Sequence, residues 1–298
     1  MTFTARGAFL ATVAILGACH EGRPASSTTG ATSAPQIDDR MVDVGGRRLH
    51  VHCMGSGEPT VVMEAGHGES GDTWRRVQPE IAKVTRACAY DRAGFGSSDK
   101  PAKPHAVADT LQDLRVMLPT AGIKAPYVFV GHSLGGLLVR LYAAAHPGEM
   151  AGLVLVDATT EDEDLKLWPL ISPDAFKMVD PDGTQLADMR TVMAQLRANR
   201  SIGDKPLVVL TAGIPEEPPP GVSPEPFARI AQEMQAELPQ ISSNSTQIVA
   251  ARSHHFIQLE NPELVVSSVR QVVDAVRTHG RVDGSALAPL ANEAPLPE

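Results

Sequence analysis

Cysteine is scarce in this chain, and positive charge is in the minority. The 298 residues include three Cys, too few for a small disulfide-rich scaffold or for a zinc site built on several cysteines. The formal net charge is −9. This argues against a nucleic-acid partner, because phosphate backbones are bound through cationic side chains. For a chain of this length without an internal repeat, we expect one large α/β domain with terminal appendages.

The apolar run at residues 7–18 is too short to cross a membrane as a mature helix. It follows a short segment containing Arg6 and ends at Ala18-Cys19. This pattern predicts a signal peptide over residues 1–18. It also resembles a bacterial lipobox, in which the Cys is lipidated and becomes the mature N-terminus. We therefore expect export to the bacterial cell envelope and a lipid anchor at Cys19. Because Gly17 stands where Ala or Ser is commoner, a plain secretory signal for a periplasmic or secreted protein stays open.

Two terminal segments have the composition of disordered chain. Residues 19–39 are rich in Ser, Thr, Gly, Ala and Pro and predict a flexible linker, since such a segment cannot bury enough apolar surface to order itself. Residues 281–298 are rich in Ala, Pro and Glu and predict a disordered tail. The folded domain is expected over residues 40–280.

Apolar stretches with strand character alternate with stretches of helical periodicity. Gly45-Gly46 separates two short segments and indicates a hairpin. The alternation predicts a mostly parallel sheet covered by helices on both faces, with the hairpin as an antiparallel edge. After the hairpin, strands are predicted at 60–63, 87–90, 127–130, 153–156, 206–210 and 247–250, and helices at 79–84, 107–118, 134–145 and 262–279.

The turn after strand 127–130 carries a candidate nucleophile. It has the pattern Gly-x-Ser-x-Gly, with Ser133 at its centre and Leu134 opening the next helix. A turn this sharp strains the backbone of its central residue, and Gly131 and Gly135 provide the small neighbours that it needs. We expect the turn to raise the Ser133 hydroxyl above the sheet, at a helix N-terminus.

Four stretches, in this order, resemble the α/β-hydrolase superfamily between about residues 42 and 278; they are residues 61–68, 90–98, 131–136 and 253–256. The resemblance implies the α/β-hydrolase fold, a mostly parallel, twisted, eight-stranded sheet with helices on both faces. It makes residues 159–204 a short helical cap over the active site. It also identifies the turn at Asp91, Arg92 and Gly94 as structural. No cofactor is expected.

A serine nucleophile needs a general base, and the base needs an orienting carboxylate. The resemblance places the base after the last strand, where His254 and His255 both lie. In the family an apolar residue follows the histidine, which favours His255, followed by Phe256. His254 is then a neighbouring surface residue.

The acid is where the chain departs from the family pattern. The family usually carries it after the strand at 206–210, but residues 211–217 contain no Asp. A variant arrangement in the family places it one strand earlier, and Asp157 lies there. Glu216 and Glu217 are the alternatives, and Asp157 could instead have a structural role.

The resemblance also implies two backbone donors for the developing oxyanion. One is the N–H of Leu134, the residue after the nucleophile. The other lies in the loop after the third strand, where counting back from Trp74 selects His67 and counting from His67-Gly68 selects Glu69. We prefer His67, used through its backbone. Its side chain has no partner at metal-ligand spacing, so no metal site is predicted.

Two further expectations depend on the resemblance. Cap residues would line a pocket for the acyl or alcohol group of small to medium substrates; the candidates are Trp168, Leu170, Phe176, Met178, Met189 and Met193. Cys53 and Cys88 would lie on neighbouring strands. In an exported protein they could form a disulfide, and two buried free thiols are the alternative.

The resemblance implies a serine hydrolase that cleaves carboxylic esters of small molecules through an acyl-enzyme. Hydrolysis of lactones, thioesters, amides or carbon–carbon bonds stays open, because the fold does not determine the substrate. Dehalogenases and epoxide hydrolases of this fold are disfavoured, since their nucleophile is Asp. A non-catalytic, ligand-binding surface lipoprotein is the other class, which loss of the acid would favour. No oligomeric state is predicted.

Overall fold

The computed structural model describes residues 36–103, 105–174 and 184–293, with side chains from residue 188 onwards in the last range. Within these residues eight strands form one sheet. They are β1 (Ile37–Asp43), β2 (Arg48–Met54), β3 (Val61–Glu64), β4 (Ala87–Tyr90), β5 (Tyr127–His132), β6 (Met150–Val156), β7 (Leu207–Ala212) and β8 (Ser245–Ala250).

The spatial order of the strands is β1-β2-β4-β3-β5-β6-β7-β8. Strand β2 pairs antiparallel with β1 and with β4, and the other neighbouring pairs are parallel. The sheet is therefore mostly parallel, with the predicted hairpin at one edge. All of β3, β5, β6, β7 and β8 point their carboxyl ends to the same edge of the sheet, where parallel α/β proteins build their sites.

Helices cover the sheet on both faces. They are α1 (Gln78–Ile81), α2 (Val107–Thr120), α3 (Leu134–Ala145), α4 (Glu163–Lys166), α5 (Thr184–Ala198), α6 (Pro224–Glu237), α7 (Ile257–Glu260) and α8 (Pro262–Thr278). Helix α8 begins as its sequence predicts: the Asn261 side chain accepts the N–H of Leu264, and Pro262 occupies the first turn.

The central strands are apolar on both sides, because each of their faces meets helices. In β5, Phe129 lies in the core cluster that includes α2 and α3. Its neighbours Val128 and Val130 lie in the opposite cluster, with the Val-rich face of α8. Alternate residues thus enter opposite cores, which explains why these strands are uninterrupted apolar runs in the sequence.

Strands β2 and β4 are joined by a disulfide between Cys53 and Cys88. The two residues are directly opposed in the antiparallel register. Of the two expectations for these cysteines, the structure has the disulfide.

The folded part is longer than predicted at both ends. Strand β1 begins at Ile37, inside the predicted linker, because its residues pair with β2 along their whole length. Beyond residue 281, where a disordered tail is predicted, the chain forms two short 3-10 helices. Leu287 is buried there, and Ala251 N–H donates to the Ala291 carbonyl. The predicted signal peptide, the rest of the linker up to residue 35, Cys19 and the last five residues of the tail lie outside the described residues.

No helix in the described part of the chain has both the length and the apolar character needed to span a membrane.

Candidate active site

Three of the predicted residues meet at the carboxyl edge of the sheet. Ser133 directly follows β5, Asp157 directly follows β6, and His255 lies in the loop after β8. All three line one cavity of about 240 Å³. The sheet order places β5, β6, β7 and β8 side by side, so residues separated by more than a hundred positions are brought together.

The backbone is strained at two of these residues. Ser133 has φ 50° and ψ −123°, and Asp157 has φ 41°. Positive φ is costly for residues with a Cβ and is maintained only where the surrounding structure enforces it. The turn around Ser133 needs glycine on both sides. A Cβ on Gly131 would lie 2.6 Å from the Cα of Gly136, and a Cβ on Gly135 would lie 2.4 Å from the Glu64 carbonyl oxygen. The glycines of the Gly-x-Ser-x-Gly turn therefore allow the close approach of strand and helix.

Asp157 is oriented by two contacts. Its Oδ2 accepts a hydrogen bond from His255 Nδ1 at 2.7 Å, and its Oδ1 accepts one from the Ala212 N–H at 2.9 Å. A proton on Nδ1 leaves the lone pair of the neutral imidazole on Nε2. Among the described residues nothing hydrogen-bonds to that Nε2, so it is free to take a proton at the cavity.

The alternatives are less well placed. Glu216 Oε1 lies 3.7 Å from His255 Nδ1 and its side chain is 57% exposed, so it acts on the imidazole through its charge. Glu217 is exposed. His254 is also exposed, and its Nδ1 lies 3.3 Å from Glu260 rather than facing the cavity.

Opposing effects act on the pKa of His255. Burial lowers it, whereas the hydrogen bond to Asp157 and the negative charges of Glu216, Asp157 and Glu69 raise it, and the net pKa is above the ordinary histidine value. The surrounding carboxylates therefore stabilise an imidazolium, the form that a general base adopts once it has taken a proton.

The cavity wall differs from the prediction. Of the six cap residues expected to line it, Met193 is buried in a cluster with Leu137 and Leu141, and Trp168 and Met189 pack against that cluster. Leu170 is 38% exposed. Phe176 and Met178 lie outside the described residues. Trp168, Met189 and Met193 thus attach the cap to α3 and are not among the residues that line the cavity.

Helix α6 and the loop before it supply much of the wall instead. Ile214, Phe227, Ala231 and Met234 line the cavity, with Leu167 from the cap. Helix α6 was not predicted from the sequence, although Ser223-Pro224 has the form of a helix start and Phe227, Ile230 and Met234 are spaced as on one helical face.

Glu163, in the cap, is a further cavity residue that the sequence did not indicate. Its side chain accepts the Thr160 N–H at 3.1 Å. Burial, reinforced by the nearby charges of Asp157 and Glu216, raises the pKa of Glu163 to about 7, although the Thr160 N–H and His255 act in the opposite direction. Its protonation therefore changes near neutral pH beside the histidine.

The two predicted oxyanion donors lie at the start of a helix and in a loop. Leu134 is the first residue of α3, where a backbone N–H has no intrahelical acceptor. His67 follows β3 in a turn closed by Glu69 N–H donating to the Gly66 carbonyl at 3.3 Å. The His67 side chain is exposed. No group of three or more His, Cys, Asp or Glu side chains within the described ranges is arranged to hold a metal ion.

A second histidine–carboxylate pair lies beside the first. His132 Nδ1 is 2.6 Å from Glu69 Oε2, and His132 Nε2 is 3.1 Å from the His255 carbonyl oxygen. The two imidazole rings are 4.6 Å apart between centroids. Glu69 also accepts the Gly66 N–H and the Thr73 hydroxyl. His132 thus connects the loop after β3 to the loop that carries His255.

Comparison with known proteins agrees with this architecture. A family model described as alpha/beta hydrolase fold matches residues 59–200. The protein YqjL of Bacillus subtilis is 26% identical over 241 residues, which cover 78% of this chain and 91% of that protein. The protein Mb2734 of Mycobacterium bovis is 32% identical over 124 residues; the match covers 42% of this chain and 36% of that protein, so it concerns one region only.

Solved structures share the fold. The haloalkane dehalogenase DbeA from Bradyrhizobium elkani aligns with a TM-score of 0.63 and 17% identity over 82% of this chain and 100% of that one. Est816, described as an N-acyl homoserine lactone degrading enzyme, aligns with a TM-score of 0.58 and 16% identity over 78% and 99% of the respective chains. The sheet order, the family-model match over residues 59–200 and these likenesses together show that the chain has the α/β-hydrolase fold.

Proposed function

We propose that this protein is a serine hydrolase that cleaves carboxylic esters through an acyl-enzyme intermediate. The observation that carries the proposal is the meeting of Ser133, His255 and Asp157 in one cavity, with the 2.7 Å hydrogen bond between the latter two. A serine at the strained turn argues against dehalogenase and epoxide hydrolase chemistry, in which members of this fold use an aspartate nucleophile.

In the proposed reaction, His255 Nε2 takes the proton of Ser133 as Oγ attacks the ester carbonyl carbon. The carbonyl oxygen becomes an anion, held by the N–H groups of Leu134 and His67. His255 then returns the proton to the departing alcohol, which leaves Ser133 acylated. His255 then takes a proton from a water molecule that attacks the acyl carbon, and it gives this proton to Ser133 Oγ as the carboxylic acid product leaves. Asp157 keeps the imidazole in the required tautomer throughout.

The cavity favours small, uncharged acyl groups. Its volume of about 240 Å³ is below the roughly 300–1,000 Å³ of pockets for drug-sized ligands. The ionisable lining residues are Asp157, Glu163, Glu216 and His255, and no Lys or Arg of the described chain joins them. Carboxylates so close to the reacting atoms disfavour an anionic substrate.

Hydrolysis of p-nitrophenyl acetate, butyrate, octanoate and laurate by the wild type and by Ser133→Ala tests the proposal. We expect turnover that is fastest for the short acyl chains. Turnover should fall in Ser133→Ala by a factor on the order of 10⁴ or more. If a folded wild type hydrolyses none of these esters, and also no lactone or thioester, the enzyme proposal is wrong and a ligand-binding role takes its place.

We also propose that the protein is exported and anchored through Cys19. The proposal rests on the apolar segment and on the residues before Cys19, and the Cys53–Cys88 disulfide supports it, because such bonds persist in oxidising compartments. The wild type should fractionate with membranes, and Cys19→Ala should be released in soluble form. A wild type that is soluble and carries no lipid would contradict the anchor.

A further inference from the structure

The loop that follows β3 is held by one buried guanidinium. Arg92, which is 6% exposed, donates from Nη1 to the Ala65 carbonyl at 2.6 Å and from Nη2 to the Gly66 carbonyl. Nη1 also donates to Glu64 Oε1 at 2.7 Å. Two consecutive backbone carbonyls therefore accept hydrogen bonds from the two arms of the same side chain.

The second of these carbonyls belongs to the peptide group that contains the His67 N–H. That peptide is trans and planar, so its C=O and N–H point in opposite directions. When Arg92 holds the Gly66 carbonyl towards the protein interior, the His67 N–H must point the other way. Rotation of this one peptide plane would remove the donor.

The preceding peptide plane is fixed at both ends. Its carbonyl, from Ala65, accepts from Arg92, and its N–H, from Gly66, donates to Glu69 Oε2 at 2.7 Å. A loop clamped in this way cannot easily rotate the next plane, since consecutive planes share the Gly66 Cα. Without these contacts Gly66 would be a flexible point in the loop, because glycine has the widest choice of backbone angles.

The charge of Arg92 is paired with a buried carboxylate at the end of β3. Glu64, which is 1% exposed, pairs with Arg92 and also accepts the Tyr90 hydroxyl. Burial raises the pKa of Tyr90 well above its ordinary value, so the phenol stays a neutral donor. The Arg92 guanidinium also lies 5.3 Å from the centroid of the Phe95 ring. The guanidinium is thus held by its ion pair with Glu64 and by its contact with the Phe95 ring.

We propose that Arg92 is a positioning residue for oxyanion stabilisation: its two hydrogen bonds orient the Gly66–His67 peptide so that the His67 N–H faces the oxyanion formed on Ser133. This proposal rests on the proposed serine hydrolase function. A lysine cannot replace the residue, because an ammonium lacks the planar fork that reaches two carbonyls and a carboxylate together. A cationic donor on a carbonyl also polarises the N–H of the same peptide and strengthens it as a donor.

The test compares three variants that separate this role from stability. Arg92→Lys keeps the charge opposite Glu64 but loses the fork. Glu64→Gln/Arg92→Met removes both charges, so no buried charge is left unpaired and the fold is expected to survive. Tyr90→Phe is the matched control, since it removes a hydrogen bond from the same Glu64 carboxylate and leaves the loop carbonyls untouched.

Steady-state kinetics on an ester and on its thionoester analogue give the decisive readout, alongside thermal unfolding. Sulfur is a weak hydrogen-bond acceptor, so loss of an oxyanion donor slows the ester much more than the thionoester. For Arg92→Lys and for the double variant we expect kcat on the ester to fall about 10²–10³-fold with little change in KM. The ratio of ester to thionoester kcat should fall with it. Tyr90→Phe should keep both values.

Three results would overturn the proposal. They are full ester kcat in Arg92→Lys, equal losses on ester and thionoester, and a double variant that fails to fold, which would assign Arg92 to stability. Failure of the proposed function would look different, because it would already be visible in a wild type that turns over no ester.

Discussion

Two histidine–carboxylate pairs lie next to each other at the carboxyl edge of the sheet. They differ in whether the histidine has a ring nitrogen without a hydrogen-bond partner. His255 uses Nδ1 for Asp157 and presents Nε2 to the cavity. His132 uses Nδ1 for Glu69 and Nε2 for the His255 carbonyl. The His132 side chain is 1% exposed, whereas that of His255 is 20% exposed.

A short contact between a histidine and a carboxylate therefore does not by itself mark a base. Proton transfer to a substrate requires one ring nitrogen that has no other partner and can reach it. Only the His255 pair meets this condition. The His132 pair has both nitrogens occupied and instead joins two loops, the one with the proposed oxyanion donor and the one with the proposed base.

The largest expected difference between the pairs is in the rate of ester hydrolysis. His255→Gln should lower kcat by a factor on the order of 10⁴ or more, since it removes the proton acceptor. His132→Gln should keep much more activity but lower the free energy of unfolding by about 1–3 kcal/mol, because a buried hydrogen bond to a charged group is lost. Kinetics and urea unfolding measure the two effects. If His255→Gln and His132→Gln lost the same factor in kcat, the two histidines would not have the different roles proposed here.

The carboxylates of the two pairs should show the same contrast, with Asp157 important for kcat and Glu69 for stability. Asp157→Asn should reduce kcat by roughly 10³–10⁴-fold, because the amide no longer enforces the tautomer with the lone pair on Nε2. Glu69→Gln should mainly reduce thermal stability, since it weakens the contacts to Gly66, Thr73 and His132. Steady-state kinetics and a melting curve on each purified variant check this. An Asp157→Asn enzyme with full kcat would show that another group orients His255.

The smallest expected effect is a change in pH dependence. Activity requires neutral His255, so kcat/KM should rise with pH through the pKa of this histidine, which the charge of Glu216 helps to raise. Glu216→Gln should lower that pKa and move the acidic limb of the pH profile to lower pH by a fraction of a unit, with the plateau unchanged. Glu217→Gln, also at an exposed position, is the control and should leave the profile in place. A loss of plateau activity in Glu216→Gln would indicate that Glu216 is the orienting acid.

Much of this site follows from local patterns in the sequence. The strand–Gly-x-Ser-x-Gly–helix pattern specifies the Ser133 turn because the steric need for Gly131 and Gly135 is local. The buried parallel strands were predictable because both of their faces are apolar. The hairpin at Gly45-Gly46 likewise depends on adjacent residues.

Other features depend on contacts that no local pattern contains. Spacing left Asp157, Glu216 and Glu217 as alternative acids, and only their distances to His255 across the edge of the sheet separate them. An apolar residue in the cap can face either the core or the cavity, and periodicity does not distinguish the two, so the predicted pocket lining was wrong for Trp168, Met189 and Met193. The tail after residue 281 has the composition of disordered chain, yet Leu287 becomes buried against the core.

The most direct test of the proposed site is the rate at which a fluorophosphonate labels Ser133 in the wild type, in Asp157→Asn and in Glu216→Gln, measured at a pH on the plateau of the wild-type pH profile. We expect a single adduct on the peptide that contains Ser133, formed orders of magnitude more slowly in Asp157→Asn and at the wild-type rate in Glu216→Gln. A folded wild type that forms no adduct, or a Glu216→Gln variant slowed as strongly as Asp157→Asn, would contradict it.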